Sequence, residues 1–224
     1  MALLDIDKLN ATPLRRAPYD YLVVENFVKP EVFGEVSRDF PSMDVPGSVP
    51  PSELDIHGRF AEMLAEMDGP AFRKAVEAKF DVDLGGKPTM FTVRGRCRAT
   101  DGKIHTDSKS KIITVLLYMN DDWDADGGRL RILNSDDLND VAAEVPPNGG
   151  TLLIFRRSDT SYHGHEPFEG KRRAIQMNWV TSRGVVAWEQ FRHRLSAMSK
   201  KRKATAVRVP VVVHVEQDGD DLGL

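Results

Sequence analysis

The sequence has little with which to cross-link itself or to enter a membrane. It contains one cysteine, Cys97, in 224 residues, and a single cysteine cannot close an intramolecular disulfide. No apolar run approaches the roughly 18 residues that a membrane-spanning helix needs. The first residues also lack the basic and then apolar pattern of a secretory signal. These absences predict a protein of the reducing cytoplasm with no membrane partner.

An excess of charge of either sign is also lacking. The 31 lysine and arginine residues oppose 34 aspartate and glutamate residues, which gives a formal net charge of −3. Because proteins that bind nucleic acid present a strongly basic surface, we expect no nucleic-acid partner. Hydrophobic residues at 41% and charged residues at 29% are typical of a globular protein, and the length favours one domain.

Apolar residues recur with helical spacing in the first part of the chain. Phe60, Met63 and Met67 fall at positions i, i+3 and i+7 of one helix face. A second apolar stripe follows Pro70, and an earlier one follows Pro30, so each proline stands where a first helical turn would begin. We therefore predict a short amphipathic helix followed by two successive helices.

From residue 87 the apolar period changes to two, which is typical of β-strands. Clusters of Gly, Pro, Asp and Asn separate five such runs. The runs are TMFTVRGRCRA, SKIITVLLYMN, GRLRIL, GGTLLIFRR and KRRAIQMNWVT. Helices followed by strands predict an α+β, mainly β fold, a sandwich or barrel with the N-terminal helices packed on one sheet.

The sequence indicates three segments within the single domain. We predict N-terminal helical elements at 1–86, a β core at 87–181, and a C-terminal helix with an edge strand at 182–224. In the last segment valines alternate over residues 207–215, and Pro210 is typical of an edge strand. An exposed edge of this kind favours a homodimer.

The stretch KIHTDSKSKIITVLLYMN places two side chains that can bind metal before an apolar strand. On a strand, residues i and i+2 point to one face, so His105 and Asp107 can converge on one ion. A third ligand can come from SYHGHEPFEGKRR, where His163 and His165 are again two residues apart. Two histidines and one carboxylate form the facial triad of non-haem iron sites. An exposed polar turn is the alternative explanation of a lone His-x-Asp pair.

The strand that follows this pair is apolar on both faces, which suits a strand buried in a two-layer β-structure. Strict alternation places Ile112, Thr114, Leu116 and Tyr118 on one face, and it places Ile113 on the other.

The run KRRAIQMNWV has two unlike faces. Arg172, Gln176 and Asn178 share the polar face, whereas Arg173 begins a face that is otherwise apolar. If the apolar face is core, the polar face lines either solvent or an internal cavity. In a cavity, Arg172 could pair a carboxylate in two places, and Arg173 is the second choice for that role.

Taken in order, these motifs resemble those of the iron(II)- and 2-oxoglutarate-dependent oxygenase superfamily, most closely its prolyl-hydroxylase-like branch. The resemblance spans residues 90–180 and depends on HTDS, VLLYMNDDWDADGGRLRIL and TLLIFRRSDTSYHGHEPFEGKRRAIQMNWV. A weaker similarity lies in PYDYLVVENFVKPEVF. The resemblance implies a double-stranded β-helix, a jelly-roll or cupin-like fold. It also implies a dioxygenase that uses O₂ and 2-oxoglutarate to hydroxylate an unactivated C–H bond.

The resemblance further implies which residues form the site. The implied iron(II) ligands are His105, Asp107 and His163. Arg172 would pair the distal carboxylate of 2-oxoglutarate, and Tyr118 would donate a hydrogen bond to the same group. Ascorbate is a further candidate cofactor.

The primary substrate stays open at this level. Asn178 stands where oxygen-sensing prolyl hydroxylases carry an aromatic residue, six positions after the arginine, and Gln176 replaces a smaller side chain. Both departures imply a more polar pocket. A prolyl residue, another peptide residue and a small polar metabolite all fit it, and we expect residues 41–53 and 100–103 to choose among them.

Two functions without oxygenase activity are alternatives. A cupin-like metal-dependent isomerase or sugar-binding β-barrel would keep the histidines, but it would have no need of Arg172 or Tyr118. A catalytically silent scaffold would keep the fold alone.

Three features have a structural as well as a functional explanation. DWDADG matches the first half of a calcium loop, but Leu133 stands where the loop needs a bidentate glutamate, so we expect a hairpin turn. Arg94, Arg96 and Arg98 alternate along one predicted strand face, and we expect one or more to approach the substrate. His165 is expected beside the metal site or at the surface.

Overall fold

The structure, a computed structural model, describes residues 2–43 and 46–188 of the chain. Up to residue 80 the described chain forms four α-helices and one 3₁₀ turn; the last three of these helices are the predicted ones, and the first was not predicted. Pro30 and Pro70 each lie in the first turn of a helix, where a missing N–H breaks no helical hydrogen bond. The elements are α1 (Ile6–Ala11), α2 (Pro30–Arg38), the 3₁₀ turn (Pro51–Glu53), α3 (Gly58–Met67) and α4 (Pro70–Phe80).

Eight strands within the described residues form two antiparallel sheets. They are β1 (Tyr21–Val24), β2 (Thr89–Cys97), β3 (Lys111–Tyr118), β4 (Leu130–Leu133), β5 (Val141–Val145), β6 (Leu152–Arg156), β7 (His163–His165) and β8 (Gly170–Val180). The large sheet has the order β1-β6-β3-β8-β2, and the small sheet has the order β5-β4-β7. β1 comes from the segment predicted as helical elements, and it extends the large sheet beside β6.

The large sheet is buried on both faces, as the apolar strands predicted. On one face Ile175, Met177 and Trp179 of β8 share a core with the helices, and the Trp179 ring stacks on Phe72 at 5.9 Å between centroids. On the other face Ala174 and the neighbouring strands share a second core with Leu130 of the small sheet. Two facing sheets with helices outside one of them confirm the α+β arrangement.

The predicted alternation along β3 is wrong at its first residues. The register of β3 against β8 shifts between Lys111 and Ile113, and such an irregularity re-aims the side chains next to it. As a result Ile112 packs with the helix-facing core, not on the face of Thr114. Lys111, which strict alternation would point away, instead lines the space between the sheets.

The expectation that His105 and Asp107 lie on a strand is also wrong. Both residues precede β3 in an irregular segment, and His105 forms one isolated antiparallel bridge with His163. β7 and β5 were not predicted, because β7 has three residues and β5 is largely exposed with no clear apolar alternation.

Some predictions for the C-terminal segment lie outside the described residues. Residues 183–188 are helical, whereas the end of the predicted helix, the valine run at 207–215 and the homodimer that it favoured lie beyond residue 188. Among the helices of the described part, none is both long enough and apolar enough to cross a bilayer.

Candidate active site

Three side chains meet in the space between the two sheets. The possible ligand atoms of His105, Asp107 and His163 all lie within 4.8 Å of one another. Two backbone hydrogen bonds of 3.1 Å between His105 and His163 hold the loop before β3 against β7, and the two rings are 4.4 Å apart. Asp107 and His163 are buried, while His105 is exposed at one edge. The cluster is therefore fixed by the fold and open on one side.

The two histidines of the cluster are oriented by backbone carbonyls. The Nδ1 atom of His105 lies 2.9 Å from the Lys103 carbonyl oxygen, and that of His163 lies 2.9 Å from the Ser161 carbonyl oxygen. A carbonyl can only accept a hydrogen bond, so each Nδ1 carries the proton and each Nε2 presents a lone pair. Burial lowers the pKa of His163 to about 4, which keeps this ring neutral at physiological pH. A neutral imidazole with a fixed tautomer is the form that binds metal.

The carboxylate of Asp107 is held by hydrogen bonds to both oxygens. Lys111 Nζ donates to Oδ1 at 2.6 Å, and Thr114 Oγ1 donates to Oδ2 at 2.5 Å. Burial raises the pKa of Asp107, but the charges of Lys111 and His163 and these hydrogen bonds outweigh it and lower the pKa below the ordinary value. Arg157 also donates to the Asp107 backbone carbonyl at 3.1 Å. Asp107 is therefore an oriented anion.

A chain of side-chain amides extends from Thr114 into the sheet. Asn178 Nδ2 donates to Thr114 Oγ1 at 2.8 Å, and Gln176 Nε2 donates to Asn178 Oδ1 at 3.2 Å. Because Thr114 Oγ1 accepts from Asn178, its single proton goes to Asp107. The two polar residues of β8 that depart from the prolyl-hydroxylase pattern thus support the aspartate.

Arg172 and Tyr118 lie deeper between the sheets. Arg172 Nε donates to the Gly128 carbonyl at 2.8 Å, and its guanidinium carbon lies 5.2 Å from the centre of the Tyr118 ring. Arg172 Nη2 and Tyr118 Oη are buried without a hydrogen-bond partner among the described residues. Burial raises the pKa of Tyr118, although the Arg172 charge opposes the rise. Two buried polar groups left unpaired are costly unless a ligand pairs them.

One cavity of about 200 Å³ connects the two groups of residues, with the metal-type cluster and the Arg172–Tyr118 pair both in its wall. A carboxylate at the inner end would satisfy both unpaired atoms, because it accepts several hydrogen bonds. The donor set of two histidines and one carboxylate suits iron(II). The residues present therefore fit iron(II) and 2-oxoglutarate together.

His165 lies in the wall of the same cavity, outside the three-residue cluster. Its Nδ1 lies 2.7 Å from the Glu166 carbonyl oxygen. Burial and then the Arg172 charge lower its pKa to about 4. The ring packs closely on Gly102, where a Cβ atom would lie 2.3 Å from the ring. His165 is therefore a neutral wall residue.

The arginines left open by the sequence lie in different places. Arg173 points away from the cavity, with its guanidinium carbon 4.8 Å from the Phe40 ring centre. Arg94 lines the cavity. The irregularity between Arg94 and Arg96 breaks the predicted alternation, and Arg98 is exposed and pairs with Asp101.

Sequence reasoning gave no role to Lys111, Thr114, Arg157 or Ser48. Thr114 was assigned to the correct face, but its bond to Asp107 depends on the fold. Ser48 lies in the substrate-choosing stretch predicted at 41–53, and it lines the cavity because Val49 pairs with Val93 of β2.

The calcium-like stretch forms the turn between β3 and β4, where Trp123 Nε1 donates to the Gly127 carbonyl at 3.0 Å.

Comparison with known proteins agrees with this arrangement. Residues 96–181 match the sequence model of the 2OG-Fe(II) oxygenase superfamily. No curated protein sequence matched the chain. A prolyl-4-hydroxylase of Pseudomonas putida is similar in structure, with a TM-score of 0.53 and 17% identity over 79% of this chain and 97% of that chain.

A viral collagen prolyl hydroxylase of Paramecium Bursaria Chlorella virus-1, crystallised with 2OG, is also similar. Its TM-score is 0.51 and its identity is 13% over 72% of this chain and 96% of that chain. The shared architecture confirms the predicted double-stranded β-helix. Residues 96–181 therefore carry a domain of the 2OG-Fe(II) oxygenase superfamily, which supports a 2-oxoglutarate-dependent dioxygenase that uses iron(II).

Proposed function

We propose that His105, Asp107 and His163 ligate iron(II) and that Arg172 and Tyr118 bind the distal carboxylate of 2-oxoglutarate. The enzyme then hydroxylates an unactivated C–H bond of a prolyl residue, another peptide residue or a small polar metabolite. The observation that carries this proposal is the single cavity that joins the metal-type cluster to the unpaired atoms of Arg172 and Tyr118.

When bound, iron(II) with 2-oxoglutarate and O₂ supplies the oxidising chemistry, in which 2-oxoglutarate becomes succinate and carbon dioxide as a C–H bond becomes C–OH. The protein supplies orientation and shielding. Lys111 and Thr114 keep the Asp107 carboxylate anionic and fixed, while the carbonyls of Lys103 and Ser161 set the histidine tautomers.

The inner end of the cavity fixes the orientation of the co-substrate. Arg172 is held by its bond to the Gly128 carbonyl, so its remaining N–H groups keep one direction. The Tyr118 hydroxyl, buried beside it, adds a second donor. Leu116, Leu130 and Ala174 line the same cavity and limit the access of water. A 2-oxoglutarate molecule whose distal carboxylate is bound here would present its other end to the three-residue cluster.

The C–H substrate is the least constrained part of the proposal. The two similar structures are prolyl hydroxylases by name, which supports a prolyl or other peptide residue. The polar side chains of Gln176 and Asn178 support a more polar substrate. The sole cysteine, Cys97, is a buried free thiol, which is compatible with the reducing cytoplasm that we propose as its location. Ascorbate would serve to keep the iron reduced.

Formation of succinate tests the reaction. The purified protein, given iron(II), 2-oxoglutarate and air without a C–H substrate, should form succinate slowly, and chelation of iron or removal of oxygen should stop it. His105→Ala should abolish it. His57→Ala should not, because the His57 side chain is 62% exposed and is not among the residues that line the cavity. A folded parent that binds iron(II) and forms no more succinate than His105→Ala would contradict the proposal and favour the cupin-like alternative.

A further inference from the structure

We infer that the primary substrate carries a carboxylate, which Lys111 binds in the outer part of the cavity beside the metal-type cluster. The inference rests on the proposed function, since it names the substrate class of the same site. Three observations support it: the direction in which the Lys111 side chain points, the polar groups in the surrounding wall, and the balance of charge in the cavity.

Lys111 faces the cavity because of the irregular register at the start of β3. Without that shift it would share the face of Ile113, which packs in the helix-facing core. The ammonium is brought in with 14% of the side chain exposed. Of its three N–H donors, one goes to Asp107. Within the described part of the chain the other two have no acceptor, so they can reach a ligand.

The wall around Lys111 is mixed, with several polar side chains beside Met90, Val180 and Val185. A compartment of about 270 Å³ extends outward from the cluster, and its lining includes Ser48, Thr92, Ser110, Gln176 and Asn178. Ser48, Ser110 and Asn178 already have side-chain partners, but the Thr92 hydroxyl and the Gln176 carbonyl oxygen have none among the described residues. An apolar substrate would desolvate these two groups, which costs free energy. A substrate with its own polar groups would pair them, and sites built in this way reject analogues that lack the partner group.

The charge balance of the cavity favours an anion. Arg94, Lys111 and Arg172 are cations in its wall, and Asp107 is the carboxylate among the lining residues. Asp101 offsets Arg94 from the side, at 3.4 Å. When bound, the two positive charges of iron(II) would be balanced by the two negative charges of 2-oxoglutarate. One positive charge therefore stays unbalanced, and Lys111 is the cation nearest the outer compartment.

Matched pairs of acids and amides test the inference by binding, not by turnover. The probes are N-acetyl-L-amino acids and their α-amides, titrated without oxygen into protein loaded with Mn(II) and 2-oxoglutarate. The enhanced relaxation of probe protons by Mn(II) reports binding near the metal. We expect acids to bind about tenfold more tightly than amides, as a charge-assisted hydrogen bond would give.

Variants at two lysines assign the preference. Compared with each variant saturated with Mn(II) and 2-oxoglutarate, Lys111→Met should remove the roughly tenfold preference for acids over amides, and Lys111→Arg should restore it. Lys109→Met is the control, because it removes the same charge at an exposed site in the same loop. N-acetyl-L-aspartate α-amide, an acid only in its side chain, distinguishes a peptide-borne carboxylate from a free acid.

The inference is overturned if no acid binds, if acids and amides bind equally, or if Lys109→Met has the effect of Lys111→Met. Failure of the proposed function is separate. It would appear beforehand, as a parent protein that does not bind Mn(II) and 2-oxoglutarate.

Discussion

The guanidinium carbon of Arg172 lies 5.2 Å from the centre of the Tyr118 ring, and each side chain buries a polar atom that no described residue pairs. Such groups reduce stability in the free protein, because burial removes their bonds to water. A site for a carboxylate explains why they are there. The unpaired atoms of Arg172 and Tyr118 therefore lower the stability of the free protein and favour the binding of a carboxylate.

Tyr118→Phe tests whether the buried Tyr118 hydroxyl lowers stability and favours 2-oxoglutarate binding. The variant removes the buried hydroxyl and nothing else, so we expect the free energy of unfolding to stay equal or to rise by about 1 kcal/mol. The dissociation constant of 2-oxoglutarate should rise about 3- to 10-fold, for the loss of one hydrogen bond. Urea unfolding and calorimetric titration measure the two quantities. A loss of stability with unchanged 2-oxoglutarate binding would mean that Tyr118 is a structural residue.

Thr114→Val should weaken metal binding. Thr114 is the bridge between Asn178 and Asp107, and its replacement leaves both without that bond. Loss of a partner that orients a metal ligand usually lowers metal affinity by about 10- to 100-fold. Anaerobic competition against a chelator measures the iron(II) affinity. Thr160→Val, at an exposed position, is the control, and an equal affinity in the two variants would contradict the role of Thr114.

Gly102→Ala should destabilise the protein through His165. Gly102 has a φ of +86°, and its Cβ atom would lie 2.3 Å from the His165 ring. Gly86 is a matched control because its φ is +67° and nothing lies within 4 Å of its Cβ position. We expect Gly86→Ala to cost about 1 kcal/mol for backbone strain alone. Gly102→Ala should cost at least about 1 kcal/mol more, since it adds overpacking. Equal costs would show that His165 yields freely.

The metal-free protein should lose stability as the pH falls below neutrality. Burial lowers the pKa of His163 and of His165 to about 4, against an ordinary value of about 6.5. Between these values the unfolded chain binds more protons than the folded one, so stability is present above pH 6.5 and is lost towards pH 4. At pH 5 each histidine should contribute a loss of about 2 kcal/mol.

Urea unfolding at pH 7 and pH 5, in the presence of a chelator, measures this loss. His165→Gln removes one of the two groups, so its stability should fall less between the two pH values than that of the parent protein. An equal fall in both proteins would contradict the assignment to His165.

The part of the candidate site on β8 could be predicted from the sequence, because Arg172, Gln176 and Asn178 lie on a strand with regular alternation. The polar and apolar faces of β8 followed directly from period two, and they put Arg172 on the inner face and Arg173 on the outer one. Spacing alone left open whether His163 or His165 is the third metal ligand. The order of the motifs, through the family resemblance, favoured His163.

The unpredicted features depend on irregular backbone and long-range pairing. The register shift that turns Lys111 into the cavity leaves no sign in the residue pattern, since KSKII fits an unbroken strand equally well. The bridge from His105 to His163 joins residues far apart in the chain. Because that bridge fixes the position of Asp107, it also makes Asp107 the hydrogen-bond partner of Thr114.

The most direct test of the central claim is an anaerobic titration of the metal-free protein with iron(II) and 2-oxoglutarate, following the weak visible charge-transfer band of the chelated co-substrate. Arg172→Gln and Arg173→Gln form a matched pair on the two faces of β8. We predict that the band forms in the parent and in Arg173→Gln at similar 2-oxoglutarate concentrations. Arg172→Gln should need at least about tenfold more, and His105→Ala should give no band. Absence of the band in the folded parent, or an equal effect of the two arginine variants, would contradict the account.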